Sequence, residues 1–357
     1  MTTNERGVHT PKVVLVTGAS RYLAGYLVSK LAQNPSIDRV IAVDMKSPSK
    51  DLLRKMGRAE FVRADIRNPL ISKVISTNLV DTVVHASMLT HPPKAGSRAA
   101  MKDQNVLGAM QLFAACQKAP SVRKVVLKSS SAVYGCSAKD PIKFSEQMSA
   151  RKPPRGGFAL DTIEVEAFAR GLGRRRPEIA VSTLRLSPLV GPRLNSAVSR
   201  YFASPVVPTI LGRDARMQLL HEEDALAVLE HATVSGPAGT FNVAGDGVIM
   251  MSQGVRRAGR VEAPMPFFLF KSAGRALMGP IMREFSKEQL DYFNFGCGLD
   301  TTRMRTELGF EPRWTTLQAF DDFVKGASLR PVIKPEWIDS AQDKLLELVG
   351  APVGAQR

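Results

Sequence analysis

Six short apolar runs recur along the first half of the chain, and their alternation with helical stretches constrains the fold more than any other feature. The runs are VVLV (13–16), VIAV (40–43), FVRADI (61–66), TVVHA (82–86), KVVLKSS (124–130) and AVSTLRL (180–186). They are rich in β-branched residues and too short for helices, which is the pattern of strands buried on both faces. Between them stand stretches with helical spacing, such as Leu23 to Gln33 and Asn105 to Gln117. A chain that alternates in this way predicts an α/β fold, a doubly wound parallel sheet with helices on both sides.

The chain divides, on this reading, into a sheet domain over 13–193 with returning segments near 214–247, and a smaller C-terminal cap over 194–213 and 248–326. Residues 1–12 form a flexible N-terminus, and 327–357 a tail with one helical pattern, Trp337 to Val349. With 357 residues, 44% of them apolar, such a chain buries its cores without disulfides or metals. Cys116, Cys136 and Cys297 are too scattered for a disulfide framework, and no Cys or His cluster has metal-ligand spacing. A soluble protein of a reducing cytoplasm is the expectation, since the N-terminus is polar and no apolar stretch reaches the roughly 18 residues that span a bilayer. The net charge of +16 is spread along the chain without an RNP, zinc-finger or helix-turn-helix signature. It reads as a basic surface that concentrates small anionic ligands rather than as a nucleic-acid interface.

Chemistry begins where the first strand runs into VLVTGASRYLAGYLVSKL. A strand, a tight turn at Gly18 and a helix N-terminus present backbone N–H groups to a pyrophosphate, as in the Rossmann fold. The cradle spans Gly18, Ser20, Arg21, Tyr22 and Leu23, but Arg21 takes the second glycine position and Ala24 the third. The arginine must point away from bound phosphates or curl over them as a clamp. Asp44 closes the second strand 26 residues after Gly18, where a carboxylate accepts from ribose hydroxyls and repels a 2′-phosphate. NAD is therefore preferred over NADP, although Lys46 lies close by.

Further ordered motifs follow: ADIRNP with Asp65 and Ile66, VVHAS with His85, Ala86 and Ser87, Asn105 in NVLGAMQLFAAC, SSSAVYG (129–135), LRLSPLVGPR (184–193), QLLHEEDA (218–225), FNVAGDG (241–247) and DTTRMRTELGFEPRWT (300–315). Over residues 13 to 325 this succession resembles the extended short-chain dehydrogenase/reductases of the NAD-dependent epimerase/dehydratase family, the group containing UDP-galactose 4-epimerase. The resemblance implies that Asp65 and Ile66 contact adenine, that His85, Ala86 and Ser87 line the pyrophosphate, and that Asn105 belongs to the cofactor site. It also implies a homodimer paired through the helix that begins near Phe158, and a nucleotide-sugar substrate.

The family's chemistry rests on a tyrosine four residues before a lysine, together with a nearby serine. Ser130 matches the serine. With Glu166 as anchor, Phe158 falls at the tyrosine position and Thr162 at the lysine position. In any register, residues 135–200 contain no tyrosine. Ser130, Tyr134, Lys128 and Asp161 remain as residues able to handle a proton, Tyr134 being a substitute base. The resemblance places Arg185, Arg193, His221 and Arg303 at or near the substrate mouth, while Pro188 stands where relatives carry an asparagine beside the nucleotide. His221 has a structural reading too, orienting its strand-helix turn through Asp224. The segment Pro264 to Phe285 reads first as buried cap core, with a lid, a dimer contact or a membrane-surface element as further readings.

Overall fold

The computed structural model describes residues 9–92, 97–270, 285–329 and 332. Seven strands form one parallel sheet. In chain order they are β1 (Val13–Thr17), β2 (Arg39–Asp44), β3 (Glu60–Arg63), β4 (Thr82–His85), β5 (Lys124–Ser130), β6 (Ala180–Leu186) and the strand Gly239–Val243. Their spatial order is Gly239–Val243, β6, β5, β4, β1, β2, β3, and every pairing is parallel. The order reverses between β4 and β1, which opens a crevice at the carboxyl ends of those strands.

Side-chain alternation along the strands explains the two helical layers. Val14, Val16, Val126, Leu184 and Leu186 face one way, packing with Leu27, Leu31, Val228 and Leu229 of α1 (Tyr22–Gln33) and the helix Glu222–Val234. Leu15, Ile41, Val83, Val125 and Leu127 face the other way, toward Ile71, Leu112, Phe113, Val165 and Leu172. Those residues belong to the helices Leu70–Thr77, Gly108–Lys118 and Gly157–Arg175. A separate aromatic cluster, with Tyr134, Phe144, Tyr201, Phe202, Phe293, Phe320 and Phe323, forms a third core beside the sheet. Tyr201 stacks on Phe293 with ring centroids 3.9 Å apart.

All six expected runs become strands: KVVLKSS and AVSTLRL do so residue for residue, and TVVHA and FVRADI are shortened at their ends. FVRADI leaves the sheet after Arg63, because the Asp65 carboxylate accepts from the Arg67 backbone N–H and guanidinium and turns the chain. The helix expected over Asn105–Gln117 starts earlier, at Arg98, and carries a π-turn over Asp103–Leu107 before its regular part. Such turns recur at functional sites. Trp337 to Val349 lies outside the described residues, as do residues 271–284 of the Pro264–Phe285 segment. In what is described of that segment, Phe270 and Phe285 are buried, whereas Phe267 and Phe268 are exposed, so the cap-core reading fits only part of it. Among the described residues no helix is long and apolar enough to cross a membrane.

Candidate active site

The crevice at β1 and β4 is lined by the turn that Gly18 makes possible. Gly18 has φ +82°, and a Cβ there would stand 2.8 Å from Cα of Ser87, so the loops after β1 and β4 touch only because the side chain is missing. Ser87 is buried and its Oγ has no hydrogen-bond partner. The α1 N-cap is Arg21, which supplies no side-chain acceptor, and no acidic residue stands in the first turn. The leading N–H groups of α1 are thus left for an outside anion.

Each cofactor residue expected from the sequence has a definite place. Ser20 donates to Asp44 Oδ2 from its N–H at 3.0 Å and from its hydroxyl at 2.7 Å, so Asp44 fixes the turn with one oxygen. Its Oδ1 accepts the Lys46 N–H at 3.2 Å and keeps capacity for a ribose hydroxyl. Arg21 reaches across the crevice and donates to the Met88 carbonyl at 2.9 Å. Tyr22 turns away, donating to Glu222 Oε1 at 3.1 Å, and Leu23 is core, so both can offer only backbone to a ligand. Ile66 is buried against Gly108, with 2.8 Å to that glycine's would-be Cβ. His85 is fully buried, 2.9 Å from Thr17 Oγ1, and Thr17 Oγ1 accepts the Ala86 N–H. Burial, with Lys128 and Arg21 nearby, pushes the His85 imidazole down to about 3. Asn105, set by the π-turn, grips Leu89 through both its N–H and carbonyl and donates to Asp161 Oδ2 at 3.0 Å. A buried orphan hydroxyl, a glycine-only contact and an uncapped helix start together fit a dinucleotide.

The proton-relay positions lie on the helix Gly157–Arg175. Phe158 is half-buried and packs on the core of the side of the sheet covered by the helices Gly108–Lys118 and Gly157–Arg175, where Val165 and Leu172 lie. Thr162 is fully buried, and its hydroxyl donates back to the Phe158 carbonyl at 2.8 Å. Asp161 is buried too and is held by Arg98 at 2.6 and 2.9 Å, which removes it as a free base. Ser130 ends β5, and its Oγ accepts the Ala132 N–H at 3.2 Å. Tyr134 is buried. Its phenol donates to Asn242 Oδ1 at 2.8 Å and accepts from Arg185, and burial pushes its pKa up against the pull of Arg185 and Asn242. These bonds tie the Tyr134 phenol to Asn242 and Arg185.

The expected substrate residues are likewise engaged within the protein. Arg185 is buried with Glu166, 2.7 Å away, and also donates to the Glu146 carbonyl. Arg193 pairs with Glu222 at 2.7 Å and lies over the Tyr22 ring. Arg303 pairs with Glu307 and lies over Phe241. His221 stacks on Trp314, caps the helix Glu222–Val234 by accepting the Glu223 N–H, and sits 3.1 Å from Asp322. Asp224 is not its partner, because that carboxylate accepts the N–H groups of Arg313 and Trp314. Pro188 joins the short parallel pair of Leu189–Val190 and Leu220–His221 by accepting the Leu220 N–H. The partners Arg98, Met88 and Glu222 left no mark in the sequence, since each contact spans more than 60 residues or a different motif.

The comparisons with known proteins agree with this architecture. A model of the NAD dependent epimerase/dehydratase family matches residues 14–244. An uncharacterized protein of Mycobacterium tuberculosis is 56% identical over 338 residues, covering 95% of this chain and 90% of that protein. Among solved structures, UDP-glucose 4-epimerase of Thermotoga maritima with UDP-glucose superposes with a TM-score of 0.66 at 17% identity, over 88% of this chain and 98% of that one. The dTDP-glucose 4,6-dehydratase of Bacillus anthracis in complex with NAD gives 0.65 at 17%, over 91% and 98%. The chain belongs to the NAD dependent epimerase/dehydratase family.

Proposed function

We propose that this chain holds NAD in the β1/β4 crevice beside an anionic ligand of the nucleotide-sugar type, and that its catalysis is impaired. The turn from Gly18 to Leu23 would meet the pyrophosphate, Asp44 Oδ1 the adenosine ribose and the Ser87 hydroxyl a further polar atom of the cofactor. When bound, NAD supplies a hydride acceptor. What the chain lacks is the group that takes a proton as the hydride leaves. The observation that carries this reading is the pair Phe158 and Thr162, one without a proton to exchange and the other with its hydroxyl turned onto the helix backbone. Losing a positioned acid/base costs about 10²- to 10⁴-fold in rate. The sugar-nucleotide half of the reading draws on the UDP-glucose and NAD complexes of the structural neighbours. Arg193 and Arg303, already paired, would have to exchange a carboxylate for a phosphate to take part.

Calorimetric titration with NAD, followed by a screen of UDP- and dTDP-sugars in which products are separated by chromatography, tests both halves. Saturable NAD binding with turnover at least about 100-fold below that of a relative carrying the Tyr-x-x-x-Lys pair is expected. No NAD binding would remove the cofactor assignment, and turnover at the relative's rate would remove the impairment.

A further inference from the structure

Two cations in the crevice lack the carboxylate partner that the other arginines of the site possess. Arg185, Arg193 and Arg303 each have a glutamate within 2.7 Å. Arg21 and Lys128 have no ion pair among the described residues, although both are half-buried. Lys128 follows Val126 on the face of β5 that packs toward α1, opposite Val125, Leu127 and Ser129. It is thereby brought toward the start of α1, where Arg21 stretches over to Met88. Burial, and secondly the like charge of Arg21, push the Lys128 ammonium down to about 8. Among the described residues the carboxylate that acts on Arg21 is Asp44, and that group is already bonded by Ser20 and Lys46.

Two like charges held near each other in a half-buried cleft repel and lose hydration, a cost that an anion bound between them would reverse. The surroundings favour an anion at the same place, with the uncapped N-terminus of α1 and the buried, unpartnered Ser87 hydroxyl against Gly18. We infer that Arg21 and Lys128 form a two-cation clamp for a diphosphate, gripping the dinucleotide across the crevice from the loop after β1 and from β5. This inference rests on the NAD reading and deepens it. The guanidinium offers a planar fork to one phosphate and the ammonium a point charge to the other. The clamp puts side-chain cations at the diphosphate, in a turn where Arg21 stands at the second glycine position.

The test uses the full chain, its Arg21→Met, Lys128→Met and Lys128→Arg variants, and four probes: NAD, ADP-ribose, adenosine and inorganic pyrophosphate. Circular dichroism first establishes that each variant is folded. Each methionine variant should weaken NAD and ADP-ribose by the same factor, about tenfold, and leave adenosine binding unchanged. Lys128→Arg should retain most of the affinity, and the wild-type advantage should shrink as salt is raised. Pyrophosphate should raise the melting temperature of the wild type and not of the methionine variants, a readout that stands even if the chain binds no NAD. Tighter NAD binding by Arg21→Met would make that side chain an obstacle and overturn the clamp. Weakening of NAD without weakening of ADP-ribose would move Lys128 to the nicotinamide half and overturn it equally.

Discussion

Arg185 shows what a motif conveys and what it hides. Its place at the end of β6 was legible from LRLSPLVGPR, but its partner was not. Glu166 lies on a helix 19 residues earlier, and that carboxylate also accepts the Ser129 hydroxyl at 2.5 Å. The guanidinium therefore ties β6 to the helix Gly157–Arg175 and reaches Tyr134 from the same position, with its centre 5.0 Å from that ring. Resemblance places the residue at or near the substrate mouth, and sequence gives no sign that a glutamate has neutralised it first. Arg185→Met should destabilise the fold by about 3–5 kcal/mol, because it leaves the buried Glu166 carboxylate with the Ser129 hydroxyl and, as counter-charge, the half-exposed Arg170. Urea unfolding measures this. A loss below about 1 kcal/mol would mean that Glu166 is not held by Arg185. Lys128 illustrates the opposite difficulty. Its period-2 position on a strand was visible, yet only the sheet order shows which helix that face meets.

At the level of elements, alternation of strands and helices was legible because buried parallel strands have no polar alternation to blur them. Their ends were less so, since termini depend on local side-chain bonds such as those of Asp65 with Arg67. The helix Gly157–Arg175 was legible as the proton-relay element, but the fixing of its first turn was not. Asp161 is bonded by Arg98 from one side and by Asn105 from the π-turn, and Arg98 donates in addition to the Gly157 carbonyl at 2.8 Å. A buried carboxylate satisfied in this way joins two segments 63 residues apart in sequence. Asp161→Ala removes the acceptor both segments share and leaves the Asn105 amide short of a bond, so about 1–3 kcal/mol should be lost. The loss should be local: faster amide exchange at 157–162 and 98–107 together, with the strands unchanged. Exchange that rises in only one of the two segments would show that they are not coupled through this residue.

Across the whole molecule, the excess of 49 basic over 33 acidic residues makes the ionisation of buried groups the sharper probe of what the crevice does. His85 is enclosed between Thr17 and Phe113, with the rings of His85 and Phe113 meeting edge to face 5.8 Å apart, and it is held neutral by burial with Lys128 and Arg21 adding repulsion. Its folded pKa, about 3, is below the ordinary value of 6.5. The unfolded chain therefore binds the extra proton first as pH falls. Stability from this residue is fully present above pH 6.5 and is lost progressively between 6.5 and 3, at about 1.4 kcal/mol per pH unit for one proton. Because His85→Phe removes this imidazole alone, the difference between wild type and variant over the window from 6.5 to 4.5 belongs to His85. Urea unfolding free energies at pH 7.0, 6.0, 5.0 and 4.5 should fall along that slope in the wild type. In His85→Phe, which keeps the ring and removes the titration, the fall over the same window should flatten. Equal slopes in the two proteins would mean that the imidazole is reached by solvent or by a compensating anion. In the second case, adding pyrophosphate should change the wild-type slope, because an anion between Arg21 and Lys128 cancels the charges that keep His85 unprotonated.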